Sequence, residues 1–149
     1  MEIDFEWLKN ELRLKSMSEQ ERQAIEEAIE PMFVLPGIPI INQGTEGSSL
    51  YLLRSGNVTI TRMINGHETQ LSSGDYSKVF GEISMFSNEP VNASVIARQA
   101  CVVYKISCEH FQRLMQENSE LALKLLTFIV RNMGRVIRRL DTQKSYRAH

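Results

Sequence analysis

Phe80-Gly81-Glu82-Ile83-Ser84-Met85-Phe86-Ser87-Asn88-Glu89-Pro90-Val91-Asn92-Ala93-Ser94-Val95 joins a glycine to a carboxylate and then to a short apolar segment. Ile83 to Phe86 is too brief for a free-standing helix but long enough for one helical turn, whose N-terminal amides are exposed and able to hold an anion. Ser87-Asn88-Glu89-Pro90 is a turn by composition. The small, polar and branched residues from Asn92 to Ala97 predict a strand leaving that turn. Together these features describe a small pocket.

Outward from this stretch the period is that of strands. Met32-Phe33-Val34-Leu35, Ile38-Pro39-Ile40-Ile41, Leu50-Tyr51-Leu52-Leu53, Val58-Thr59-Ile60-Thr61 and Glu68-Thr69-Gln70-Leu71 precede it, and two more strands follow it to about Ile106. Glycines 37, 44, 47, 56, 66 and 74 fall at the breaks, and Asn65-Gly66 is a hairpin signal in its own right. Several short strands at this spacing predict a β-sandwich or barrel.

The central stretch resembles the phosphate-binding cassette of the cyclic nucleotide-binding domain family. Gly81, Glu82, Ile83, Ser84, Met85, Pro90, Ala93 and Ser94 match that pattern in place. So do Leu35-Pro36-Gly37 and the glycine-turn and strand run from Gln43 to Val58, and the likeness extends over roughly residues 20 to 140. The resemblance implies a mainly β fold with flanking helices, a β-roll or jelly-roll barrel with N-terminal helices and a long C-terminal helix. It implies a ligand site at Gly81, Glu82, Ile83, Ser84, Asn92, Ala93 and Ser94, with Glu82 on a ribose 2′-hydroxyl and amides cradling a cyclic phosphate.

Two departures bear on that site. Val91 occupies the position of the family's arginine, whose planar fork pairs bidentately with phosphate oxygens. Gly74-Asp75-Tyr76, which in the family leads directly into the Phe-Gly-Glu turn, is here separated from Phe80 by Ser77-Lys78-Val79. Lys78 is the nearest substitute cation, and it joins the candidate site on that ground.

The C-terminal part reads as helix. Residues 108–116 predict a short one with Phe111 and Leu114 apolar, and Asn118-Ser119 caps a longer one. In the long helix Leu126, Ile129, Met133, Val136 and Leu140 alternate steps of three and four, while Leu121, Leu125 and Phe128 form a second apolar face. Two apolar faces require two partners, which predicts a homodimer through 120–141, the alternative being core packing of the seam in a monomer. The resemblance implies the same interface and a lid over the nucleotide base. At the other end, residues 2–15 and 18–30 read as amphipathic helices, the second opened by the capping-box pair Ser18 and Glu21 and closed by Pro31.

At 149 residues the chain has the size of one domain. The expected division is 1–31 helices, 32–107 β-roll and 108–149 helices. No apolar run approaches a membrane span and the N-terminus lacks a signal-peptide order, which predicts a cytoplasmic protein. Cys101 and Cys108 make no metal pattern, and Cys101 sits in a strand-like run as plain core. Charge is near balance, with 17 Lys and Arg against 18 Asp and Glu. Acidic residues nevertheless crowd residues 1–30, and basic ones gather from Lys124 onward. That asymmetry predicts an acidic and a basic helix side by side or a solvated face, since no recognition-helix pattern accompanies it.

Enzyme motifs are missing. No nucleophile elbow, P-loop, zinc-protease motif or dinucleotide fingerprint occurs, His67, His110 and His149 share no geometry, and no haem-ligand pattern is present. The expectation is a non-enzymatic sensory module that binds a cyclic nucleotide or related small ligand, with no obligatory cofactor or metal, and signals through a dimerising helix. The alternative is a degenerate module kept for dimerisation or protein contact. The chain stops too soon after the long helix to hold the helix-turn-helix domain of related transcription factors, so no DNA-binding domain is expected.

Overall fold

The computed structural model describes residues 1–72 and 77–147, with side chains described as far as Leu140. The Gly74-Asp75-Tyr76 motif and His149 lie outside the described residues. Two helices, α1 (Phe5–Glu11) and α2 (Glu19–Ala28), lead into eight strands. These are β1 (Glu30–Val34), β2 (Pro39–Ile41), β3 (Ser49–Ser55), β4 (Val58–Ile64), β5 (His67–Ser72), β6 (Val79–Phe80), β7 (Ser94–Ala97) and β8 (Cys101–Ser107). A short α3 (Glu82–Ser87) lies between β6 and β7, and α4 (Cys108–Glu117) and α5 (Ser119–Arg147) close the chain.

The strands form two antiparallel four-stranded sheets, β1-β8-β3-β6 and β2-β7-β4-β5, which are not joined into a closed barrel. The jelly-roll expectation holds as an open roll. The capping box of α2 is present in both directions, Glu21 N–H to Ser18 Oγ at 3.1 Å and Ser18 N–H to the Glu21 carboxylate at 3.0 Å. Pro31 does not merely end that helix. It sits inside β1, opposite Tyr104, on the outer edge of its sheet, where its missing N–H disturbs no ladder. Asn65 and Gly66 both have positive φ, 52° and 80°, as a type I′ hairpin requires.

β8 explains why two cores form. Its run Cys101-Val102-Val103-Tyr104 is apolar without alternation because both faces are covered. Cys101 and Val103 point between the sheets and pack with Val34, Ile41, Val58, Phe80, Val95 and Ala97. Tyr104 and Ile106 point outward under the helices, among Leu8, Ile25, Leu50, Leu52 and Phe111. Tyr104 is fully buried and its hydroxyl accepts the Asp4 N–H at 2.8 Å, while the Trp7 ring stands edge-on to it. Cys101 is core as expected.

On α5 the face Leu121, Leu125 and Phe128 is buried against the roll, as the sequence predicts. The second face is shifted from its expected position. Ile129 belongs to the helix-covered core and is only 2% exposed, with Leu126 and Met133 partly buried beside it. The exposed apolar residues are Leu140 of the expected seam together with Leu123, Val130 (64%) and Ile137 (55%). With Leu126 and Met133 they form the series 123, 126, 130, 133, 137, 140, again in steps of three and four. By spacing alone a series of threes and fours runs equally well through Ile129 or through Val130; the packing of α5 on the rest of the domain decides which is covered.

Candidate functional site

β6 delivers the cassette. Tyr51 of β3 pairs with Phe80, and the chain then turns at Gly81, whose φ is +85°. A Cβ there would lie 2.7 Å from the Ser49 carbonyl oxygen, so backbone conformation and lack of space both require glycine. Gly81 caps α3 without a side chain, and its carbonyl accepts the Met85 N–H at 3.1 Å. Met85 is buried while Ile83 faces solvent, and Asn88, at φ 62°, ends the helix in the left-handed conformation.

The second half of the cassette is held by the loop between β2 and β3. Val91 N–H donates to the Thr45 carbonyl at 2.9 Å, Gly44 N–H donates to the Val91 carbonyl at 2.8 Å, and Glu46 bridges Pro90. The Ser94 hydroxyl accepts the Gln43 N–H at 2.9 Å. Gly47 lies directly on α3: a Cβ there would fall 2.3 Å from that of Ser84. One loop therefore touches both Ser84 and the segment 90–94.

Burial pushes the Glu82 carboxyl above its ordinary value of 4.5, opposed by its own backbone amide. Below 4.5 the group is protonated in both folded and unfolded chains and costs nothing. As pH rises through the raised folded value, the unfolded chain gains from ionisation that the folded one resists, and stability falls. Glu82→Gln is therefore expected to melt at a higher temperature than the unmodified chain at neutral pH and to lose that advantage in acid. Paired thermal melts across this range test it; a pH-independent gap would refute it.

Val91, at the arginine position, is half-buried and packs on the cluster between the sheets. Lys78 has its ammonium 2.6 Å from the Glu11 carboxylate, and its N–H donates to Asn132 Oδ1 at 2.9 Å. The cation that the structure does bring to the cassette is Arg62 of β4, whose Nε donates to the Asn92 carbonyl at 2.8 Å. Sequence reasoning missed it, because an arginine in a strand carries no local signal; the β4–β7 register, with Thr61 opposite Ser94, brings it there. Asn132 was missed as well. It is 1% exposed, donates to Ser77 Oγ at 3.1 Å, and so ties α5 to the approach of β6. Among the described residues no group of three or more His, Cys, Asp or Glu gathers as a metal set, and no helix is long and apolar enough to cross a membrane.

The profile of the cyclic nucleotide-binding domain matches residues 31–118. The chain is similar to the cAMP-dependent protein kinase regulatory subunit of Debaryomyces hansenii, 31% identical over 110 residues, covering 74% of this chain and 24% of that protein. It is similar to that of Candida albicans at 32% identity over 110 residues, covering 74% and 23%. The chain thus spans about a quarter of the length of these curated relatives. Among solved structures, a cyclic nucleotide-binding domain from Methylobacillus flagellatus shares the fold, with a TM-score of 0.76 at 19% identity over 91% of this chain and 79% of that one. The sensor domain of the transcriptional regulator DNR from Pseudomonas aeruginosa aligns with a TM-score of 0.65 at 25% identity, covering 91% and 90%.

Proposed function

The chain belongs to the cyclic nucleotide-binding domain family, and from that membership we propose that it is a regulatory sensor taking a cyclic nucleotide or related phosphate-bearing ligand at its cassette. The observation that carries this reading is the contact of one loop, residues 43–47, with both Ser84 and the segment 90–94, with Arg62 beside Asn92. In this proposal Glu82 accepts a ribose hydroxyl, and the amides of Ile83 and Ser84 with those of Ala93 and Ser94 face the phosphate. Arg62 supplies the positive charge, since Lys78 is engaged by Glu11. The names of the kinase regulatory subunits among its relatives support cyclic AMP as the first ligand to try. Binding rather than catalysis is the role these residues suit. Occupancy would reach α5 through Asn132, which holds Ser77 and Lys78 just ahead of the cassette.

Calorimetry with cyclic AMP, cyclic GMP and 2′-deoxy cyclic AMP tests the assignment. Arg62→Ala is expected to weaken every phosphate-bearing ligand about tenfold, the effect of losing one charged hydrogen bond. Glu82→Gln is expected to weaken only those with a free 2′-hydroxyl. Affinity indifferent to both substitutions would place the ligand elsewhere.

A second reading is favoured by Val91, whose side chain packs into the inter-sheet cluster and whose N–H and C=O are both bonded to the 44–45 loop. Here the cassette is degenerate and the domain serves dimerisation or protein contact. No heat with any cyclic nucleotide at millimolar concentration, from a chain that sediments as a dimer, would select it.

A further inference from the structure

The basic residues of α5, which the sequence sets beside an acidic helix or on a solvated face, converge on the end of α1. After Glu11 and Leu12 the backbone reverses at Arg13, which adopts φ 56°, with its N–H bonded to the Asn10 carbonyl at 3.1 Å. Between this reversal and α5 lies a cleft of about 440 Å³, floored by Phe128 and walled by Asn10, Arg13, Arg131, Arg135 and Arg138. Among the described residues that line it the one carboxylate, Glu11, is already 2.6 Å from the Lys78 ammonium. We propose that this cleft is an anion site, separate from the cassette, for a small phosphate-bearing ligand with more than one negative charge.

The C-terminal carbonyls of α1 explain part of the gathering. A helix C-terminus attracts cations, and Arg131 donates to the Glu11 carbonyl at 3.1 Å. That contact uses one guanidinium, and Arg135 reaches the cleft with one hydrogen bond, to Asn132 Oδ1 on its own helix. Burial, and then the charge of Arg13, make the protonated Arg131 less favourable than usual, with Arg135 adding to the repulsion and Glu11 opposing it. A multivalent anion between the guanidiniums would offset their mutual repulsion, and forked guanidiniums fit phosphate oxygens. Arg135 also shares Asn132 Oδ1 with the Lys78 N–H. An anion drawing Arg135 away would leave that oxygen to the strand entering the cassette, which gives the cleft a route to the first site.

The test is calorimetry of the full chain with pyrophosphate and with inorganic phosphate, each at constant ionic strength. Pyrophosphate is expected to bind with one site per chain, and Arg131→Gln and Arg135→Gln are each expected to weaken it about tenfold. Arg113→Gln, on the surface of α4 beside Glu117, is expected to leave it unchanged. Should the α5 variants unfold by circular dichroism, Arg13→Gln, outside any helix, carries the same expectation. Absence of binding at millimolar pyrophosphate would overturn the proposal. Equal weakening by Arg113→Gln, the mark of general attraction to a basic surface, would do so too. Because these ligands lack a ribose, failure here leaves the cassette reading untouched.

Discussion

Val91→Arg is expected to tighten cyclic AMP binding by about ten- to a hundredfold over the unmodified chain, the equivalent of a charge-assisted hydrogen bond worth about 1.5–3 kcal/mol. The unmodified chain is expected to bind at micromolar concentrations or more weakly. The Val91 backbone is fixed by two hydrogen bonds to Gly44 and Thr45, so the substitution exchanges a side chain without releasing the loop. The valine side chain is only half-buried, which leaves the arginine stem a way out of the apolar cluster, since long basic side chains lay their methylenes along apolar surface and extend the head beyond it. A bidentate fork added near Arg62 would give the phosphate two cations instead of one. Calorimetry of both proteins decides. A sub-micromolar dissociation constant before the substitution would show that valine is no handicap. A folded variant with no gain would show that the pocket is closed for reasons other than its missing cation.

The parts legible in the sequence are those dictated by local chemistry. Ser18 and Glu21 form their capping box and Asn65-Gly66 makes its turn, because each depends on neighbours within a few positions. The exposed face of α5 depends on which helices pack beside it. A series of threes and fours can be drawn through Ile129 or through Val130 equally well, and only a core gathered from elements distant in sequence covers the former. Arg62 and Asn132 are invisible for the same reason. One reaches the cassette through the pairing of β4 with β7, the other through the docking of α5 on the approach to β6, and neither distance is encoded near the residue itself. Lys78 shows the reverse case, since nearness in sequence to Phe80 suggests a role at the cassette, while its ammonium pairs with Glu11, distant in sequence.

Val130→Asp combined with Ile137→Asp is expected to convert a dimer into a folded monomer. These side chains project from α5 into solvent within one chain, 64% and 55% exposed, so in the monomer each carboxylate remains hydrated. Paired across two copies of the helix, they would stand at the centre of a seam of threes and fours, where unpaired buried charge costs several kcal/mol. Ile129→Asp provides the contrast. That residue is 2% exposed inside the core shared by α1, α2 and the outer face of β8, and a carboxylate there is expected to unfold the chain whatever its assembly state. Sedimentation velocity and thermal melts of the three proteins separate the effects. The double variant should sediment at half the mass with its melting temperature nearly that of a dissociated wild type, while Ile129→Asp should lose its cooperative melt. An unmodified chain that already sediments as a monomer, or a double variant that stays dimeric, would move the interface away from this face.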